Sequence, residues 1–451
     1  MDGCTEVQGQ ASFLPFTILV MDKNVLIVTG SDYSPIVYQG FEEAKALGYK
    51  LYLLSDGSFE PRSGIFEKHF AYDLRKTKEV LEYMGTQPIK FDAVTIKTSE
   101  WLTPLTALLA KQYGCIGNDP IVAFNCRSKY HMRQKLDEGS VPIPKYKLCR
   151  NYDELFGAVN EIGIPCIAKP VGGNASYGTF MIRSEEDLKE LKQNYDTSIE
   201  YLKSKALLED VFAFTNEEMD LIGVADHVDM ITDYLVEEYM FGPEISVDAL
   251  VQDGNVSIMG IEDQIRMAPP YVLQTSAKLP YICDTNRQKE IEHLIRETVK
   301  AMGIKNSATH TEIIFTPTGG KIVEIGCRIG GDDLHDTIYY VTGYNLMFES
   351  IMIALGEKRS YDPMPTFLCH TAMQFIFPEK EGTIKDIIIP DYLVKDPNVT
   401  GIQLLKSIGD KVAPPPVSYD YLGYVSVKGS TPEDANKNLQ EALSKINFII
   451  S

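Results

Sequence analysis

At 451 residues the chain is too long for one core, so about three domains are expected; 44% hydrophobic and 24% charged residues place it with ordinary globular proteins, not disordered ones. Its 43 Lys and Arg against 63 Asp and Glu leave a net charge of −20, which argues against nucleic acid or an anionic membrane as partner. The eight cysteines are scattered without a CxxC pair and the seven histidines form no HxxxH or HExxH pattern, which disfavours a disulfide framework or a zinc site and suggests reduced thiols in a cytoplasmic protein.

In chain order, the apolar run from Phe13 to Met21 is broken by Pro15 and lacks a basic flank. It is too short to span a bilayer and weak as a signal peptide, so residues 1–20 are expected to be a poorly ordered extension. NVLIVTG (24–30), a helix-period segment at 36–48 and YKLYLLSD (49–56) predict a β-α-β unit of a parallel sheet. A helix around 77–84, a strand at 91–98 and a helix around 101–113 continue it. No GxGxxG follows the first strand, so the expectation there is a structural Rossmann-like layer bordering a substrate pocket.

Residues 125–150 predict one basic amphipathic helix, broken at Gly139, with Lys129 near its start. IPCIAKP (164–170) is a strand ending at Lys169, and MIRS (181–184) its hairpin return. The intervening VGGNASYGT carries Gly172, Gly173, Ser176 and Gly178. A Gly- and Ser-rich β-β loop with a lysine at its base can wrap its N–H groups around phosphates, although it is not a Walker A loop. Residues 185–205 read as a capped helix, and the acidic stretch 209–233 has no clear period. YLVEEYMFGPEISVDALVQDG (234–254) is strand-turn-strand. Its linker, Tyr239 to Pro243, offers backbone groups to a purine edge, flanked by Glu237, Glu238 and Glu244. NVSIMGIEDQ (255–264) continues the sheet, MAPPYVLQTSAKLP (267–280) reads as a loop, and 287–303 as an amphipathic helix.

The richest stretch is ATHTEIIFTPTGGKIVEIGCRIGGDD (308–333). It predicts two strands around a turn at Pro317, Gly319 and Gly320, each bearing one carboxylate in an apolar run, Glu312 and Glu324. Pairing the strands could bring both to one face, where they repel and call for a cation. Rigid oxygen ligands suit Mg²⁺ shared with a phosphate. Arg328 follows, beside Gly330 and Gly331, where backbone can approach a ligand closely. A helix through Tyr344 to Leu355 and a strand-rich region from about 360 close the chain, the latter without a chemical signal.

Taken in order, Lys129, Lys169 with GGNASYG, VEEYMFGPE, HTE and EIGCR resemble the ATP-grasp superfamily over about 24–355. The resemblance implies an α/β (α+β) ATP-grasp fold. Its parts would be an extension (1–20), a Rossmann-like pre-ATP-grasp domain (21–124), a small subdomain with a glycine-rich lid (125–204), a large subdomain with the metal site (205–360) and a C-terminal α+β subdomain (361–451). It assigns Lys129, Lys169 and the loop 172–178 to the nucleotide phosphates, Glu237–Met240 to adenine and Glu244 to ribose. It assigns Glu312 and Glu324 to Mg²⁺, for which Mn²⁺ could substitute, and Arg328 to the transferred phosphoryl and acyl phosphate. ATHTEI and the C-terminal GYVSVKG look most like bacterial L-amino acid ligases and biotin carboxylase-like enzymes. The activity so implied is an ADP-forming carboxylate–amine ligation through an acyl phosphate. It would act on an amino acid or small carboxylic acid, and a homodimer would fit the branch.

Two departures stand out. Gly326 replaces the Asn of the EINxR pattern, and the loop 267–280 offers Gln274, Ser276 and Lys278 where some dipeptide ligases have a Glu and a His. Substrate selectivity is expected from the loop 262–280, with Gln274 and Ser276, from the turn 330–335 with Gly330 and Gly331, and from the N-terminal domain. The competing readings are phosphorylation of bicarbonate or carbamate and a non-catalytic nucleotide-binding regulator.

Overall fold

The computed structural model describes residues 22–173, 178–206, 213–268, 273–332, 334–361, 365–415 and 420–451. The expected extension at 1–20 and Ser176 lie outside them. Among the described residues no helix is long and apolar enough to cross a membrane.

The first unit runs β1 (Asn24–Val28), α1 (Pro35–Ala46), β2 (Lys50–Ser55), β3 (Lys68–Ala71), α2 (Thr77–Gly85), β4 (Ala93–Ile96) and α3 (Thr103–Tyr113). The strands form a parallel sheet in the order β3-β2-β1-β4. Val25 to Val28 are buried on both faces, which is why β1 is apolar without alternation. Pro35 opens α1, where its missing N–H is harmless, and the Ser34 side chain accepts from Val37 N.

Next come α4 (Pro120–Arg127), α5 (Lys129–Glu138), β5 (Tyr146–Cys149), α6 (Tyr152–Ile162), β6 (Cys166–Pro170), β7 (Phe180–Ile182), α7 (Glu185–Ala206), α8 (Asn216–Ile222) and β8 (Tyr234–Glu238). The expected single helix from 125 is two, because Ser128 is extended (φ −94°, ψ 110°). That kink lets Lys129 N donate to Val171 O at 3.0 Å, tying the helix pair to the end of β6. The aperiodic acidic stretch contains α8, held by a capping box between Thr215 and Glu218. Strands β5-β8-β6-β7 form an antiparallel sheet backed by α6 and α7 through Leu155, Val159, Leu191 and Leu202.

The third stretch comprises β9 (Glu244–Gln252), β10 (Asn255–Arg266), β11 (Gln274–Leu279), α9 (Thr285–Met302), β12 (Ser307–Thr316), β13 (Gly319–Gly326), α10 (Leu334–Thr342) and α11 (Leu346–Ala354). The last comprises β14 (His370–Ile376), β15 (Gly382–Ile388), α12 (Asp391–Val394), β16 (Val399–Leu404), β17 (Lys411–Val412), β18 (Gly423–Gly429), α13 (Pro432–Leu443) and β19 (Asn447–Ile450). The sequence 274–279, expected to be loop, is strand β11, paired with β10 and β14. Its Gln, Thr, Ser and Lys hide the strand from a hydrophobic pattern, and cross-strand pairing supplies what the pattern lacks. An eight-stranded antiparallel sheet, β13-β12-β9-β10-β11-β14-β18-β16, therefore runs straight through the expected boundary at 361. A small sheet, β17-β15-β19, flanks it.

Strand β9 sorts its residues by face. Ile245, Val247, Ala249 and Val251 pack with α4, α5 and α9, whereas Glu244, Ser246 and Asp248 are the buried polar positions between them. The polar face borders a cleft of about 1450 Å³ between the lid sheet, the large sheet and the loops at the carboxyl ends of β1, β2 and β4. Crevices outside the carboxyl ends of parallel strands are where α/β proteins hold ligands.

The linker between β8 and β9 is fixed at Gly242, whose φ is +155° and where a Cβ would stand 1.9 Å from the Phe315 carbonyl oxygen. Replacing Gly242 by Ala should lower stability by about 1–3 kcal/mol through overpacking, read by urea denaturation. An unchanged midpoint would show that β12 yields at no cost.

Candidate active site

The hairpin β12–β13 opposes Glu312 and Glu324 in register, so both carboxylates project from one face into the cleft. Lys129 Nζ stands 3.0 Å from Glu324 Oε2 and donates to the Gly173 carbonyl at 2.5 Å. Burial alone would raise the Glu324 carboxyl, but Lys129, with Lys169 and Arg328 behind it, holds it down at about 2. Far from a surface charge, Lys129 is only 8% exposed.

The second lysine, Lys169, ends β6 and pairs with Glu237 Oε2 at 2.6 Å. Glu237 is also gripped by Arg133, Nε to Oε1 at 2.7 Å and Nη2 to Oε2 at 3.2 Å, and Arg133 Nη2 donates to Val323 O at 2.8 Å. Burial lowers the Lys169 ammonium to about 8 against the opposing pull of Glu237. Burial would also raise the Glu237 carboxyl, yet Arg133 and Lys169 keep it below the usual range. Glu237 is thus an internal ion-pair partner on β8; the exposed part of the expected linker is Phe241 to Pro243, with Glu238 bonded to Lys321 at 3.2 Å. Glu238, Met240 and Glu244 all line the cleft.

Glu244, expected at a ribose, pairs with Arg266, whose Nη2 also approaches Glu312 Oε2 to 3.7 Å. Burial, with Glu312 nearby, pushes the Glu244 carboxyl up to about 7 although Arg266 pulls the other way. Arg328 Nη2 meets Glu100 Oε2 at 2.7 Å, and its Nε is buried without a partner among the described residues. Asp248 accepts from Gly330 N at 3.0 Å and lies 2.9 Å from His310 Nδ1. Burial would lower the His310 imidazole, but Asp248 raises it.

The structure brings Lys129, Lys169, Gly173, Glu237, Glu244, Glu312, Glu324, Arg328, Gly331 and Gln274 to one cleft. Gly172 lies outside the cleft lining, buried, with its carbonyl taken by Arg127. Gly178 caps the far end of the loop, where its carbonyl accepts from Ser198 Oγ at 2.7 Å. Ser276 is paired with Ile265 and Gln374 and lies outside the cleft lining, so the expected substrate contact is not where the structure places it. Its neighbour Ala277 takes the register position beside Gln264, because strand β11 turns alternate residues to opposite faces.

Sequence reasoning missed Arg127, Arg133, Glu262 and Arg266. Arg133 follows Lys129 by one helical turn, a spacing that places both on one face. Glu262, Gln264 and Arg266 recur at period two along β10, the signature of a polar strand face. Arg127 carries no such signal: it is 2% exposed, with Nε and Nη1 lacking partners among the described residues.

Family models match two parts of this chain. An ATP-grasp domain matches residues 198–336, and L-amino acid ligase C-terminal domain 2 matches residues 374–451. The chain carries both. An L-amino acid ligase from Bacillus licheniformis superposes with a TM-score of 0.74 at 19% identity, covering 95% of this chain and 99% of that one. Among sequences, an alanine–anticapsin ligase of Bacillus amyloliquefaciens is 23% identical over 87% of this chain and 84% of its own length. An uncharacterized protein of Sinorhizobium fredii is 22% identical over 76% of this chain, which spans 65% of that protein.

The Arg133–Glu237 pair is buried on both sides, with side chains 1% and 2% exposed. Arg133→Met should therefore cost about 3 kcal/mol, the lower end for a broken buried pair because Lys169 remains. Chemical denaturation reads it; a loss under about 1 kcal/mol would mean that Lys169 alone satisfies Glu237.

Proposed function

We propose that this chain is an ADP-forming carboxylate–amine ligase, joining an amino acid or small carboxylic acid to an amine through an acyl phosphate. The observation that carries the reading is the register-matched pair Glu312 and Glu324, set in a cleft with Lys129 on one of them and with Lys169 and Arg328 lining the same cleft. The names of the ligases to which the chain is similar support it.

The donor set fits a hard divalent cation. Mg²⁺ takes one or two protein carboxylates and completes its shell with water and phosphate. Among the described residues no group of three His, Cys, Asp or Glu could hold a metal alone, which fits a shell shared with a nucleotide. Glu312 and Glu324 are the residues that would hold Mg²⁺, or Mn²⁺ in its place. When bound, the ion supplies charge neutralisation at phosphoryl oxygens.

A carboxylate is too poor an electrophile for an amine. In the first step a carboxylate oxygen attacks the γ-phosphorus of ATP, the bond to the bridging oxygen breaks, and ADP leaves. Lys129 and Lys169 neutralise the phosphoryl oxygens, so catalysis is mainly positioning and electrostatics. In the second step the amine nitrogen attacks the acyl carbon, phosphate departs with the carbon–oxygen bond pair, and the nitrogen loses its proton. Arg328 donates to the oxygen that gains charge. Excluding water from the cleft protects the acyl phosphate from hydrolysis. The buried thiols Cys126, Cys149, Cys166 and Cys327 are free, which suits a reducing, cytoplasmic setting.

Phosphate release from Mg·ATP should require two substrates and yield a condensed amide by mass spectrometry. Release with bicarbonate alone would overturn the ligase in favour of carbamate chemistry. Glu324→Gln should reduce turnover by about 100-fold or more, whereas a pure nucleotide binder would lose affinity only. Because Lys169 binds phosphate as the ammonium and titrates near 8, kcat/KM for ATP should fall above that pH. Lys169→Arg should flatten that limb, and an unchanged limb would assign the titration elsewhere.

A further inference from the structure

The inner wall of the cleft balances its charges almost pair by pair. Lys129 meets Glu324, Lys169 meets Glu237, Arg266 meets Glu244, Arg328 meets Glu100, and His310 meets Asp248. Glu262 on β10 breaks the pattern. It is 7% exposed, lines the cleft, and accepts one hydrogen bond, from Ser246 Oγ to Oε2 at 3.2 Å. No cation among the described residues forms a salt bridge with it, and its second oxygen has no donor among them. The groups that face it from neighbouring elements are Asp248 on β9, His310 on β12 and Asp332 after β13. Asp248 has both oxygens engaged, one by His310 and one by Gly330 N, so its own charge is spoken for. A buried carboxylate without a cation is costly and calls for one from outside the chain.

Register fixes where that cation would lie. Glu312, Ser246 and Glu262 are cross-strand partners on β12, β9 and β10. Glu262 is therefore about 10 Å from Glu312, two inter-strand spacings along the same row. A carboxylate group reacting beside Glu312 and an ammonium group on the same small molecule fill such a span. A simple carboxylic acid would leave Glu262 facing nothing, and bicarbonate would not reach it.

We propose that Glu262 receives the ammonium group of the substrate whose carboxylate is activated, which makes that substrate an amino acid. The proposal rests on the ligase reading and narrows its first substrate class. The ammonium stays protonated, and Glu262 binds it as the carboxylate. Burial first, and Asp248 second, push the Glu262 carboxyl up to about 8, so docking of the ammonium near neutral pH displaces a proton from Glu262. The KM for the amino acid should fall as pH rises toward 8, while Glu262→Gln removes that slope.

The test uses the full chain with Mg·ATP and a fixed set of amino-acid amides as amine acceptors, offers as donors the twenty L-amino acids and β-alanine, each matched with its des-amino acid, and reads phosphate release. Wild-type enzyme should turn over with amino acids and not with their des-amino partners. Glu262→Gln should raise the amino-acid KM by about 10- to 100-fold, the loss of one charge-assisted hydrogen bond, with the KM for ATP unchanged. Glu262→Asp should recover part of it. A KM within about twofold of wild type with the pH slope intact would overturn the proposal. So would equal turnover of amino and des-amino acids, a comparison that needs no variant and leaves the ligase reading standing. Phosphate release with none of these acids would sink the ligase reading, and this inference with it.

Discussion

Two like charges held opposite each other on a half-buried hairpin organise this molecule. Glu312 and Glu324 repel each other on one face of β12–β13, and the fold delivers cations to them from several directions. Lys129 comes from the start of α5, Arg266 from the end of β10 and Lys169 from the end of β6. The helix kink at Ser128, the buried Arg133–Glu237 pair and the long β10 strand all serve that arrangement. Each would be a local oddity in isolation; together they hold cations around a pair of acids.

The same cations reach beyond the hairpin. Residues 127–129 grip the base of the glycine-rich loop at successive points: Arg127 at the Gly172 carbonyl, Lys129 N at the Val171 carbonyl and Lys129 Nζ at the Gly173 carbonyl. The base of the loop is thus a fixed part of the site. The charges that neutralise the acids also register the phosphate loop against them, so the lid and the large sheet are aligned through side chains of one short helix junction.

Much of this was legible in the sequence because the informative residues sit on short, strongly patterned elements. NVLIVTG announces a buried parallel strand, and HTEIIF with GKIVEIG announces a hairpin whose turn glycines fix the register of Glu312 and Glu324. What escaped was polar and distributed. β11, QTSAKL, has no apolar period, and only the neighbours β10 and β14 make it a strand. Glu262 and Arg266 belong to a strand that is apolar at one end and charged at the other, so its hydrophobic pattern fades where its chemistry begins. Arg127 and Arg133 read as ordinary basic residues of a helix, since sequence spacing alone does not reveal burial.

The continuity of the eight-stranded sheet has a consequence for how the polypeptide can be divided. β14, β18 and β16 extend the sheet that carries the acid pair, and β14 hydrogen-bonds directly to β11. The last ninety or so residues are therefore not a detachable module. Removing them would turn β11 into a raw edge, with unpaired amides next to the exposed backbone of the cleft mouth, an invitation to intermolecular pairing. Fusion or truncation near residue 361 cuts through a hydrogen-bonded sheet.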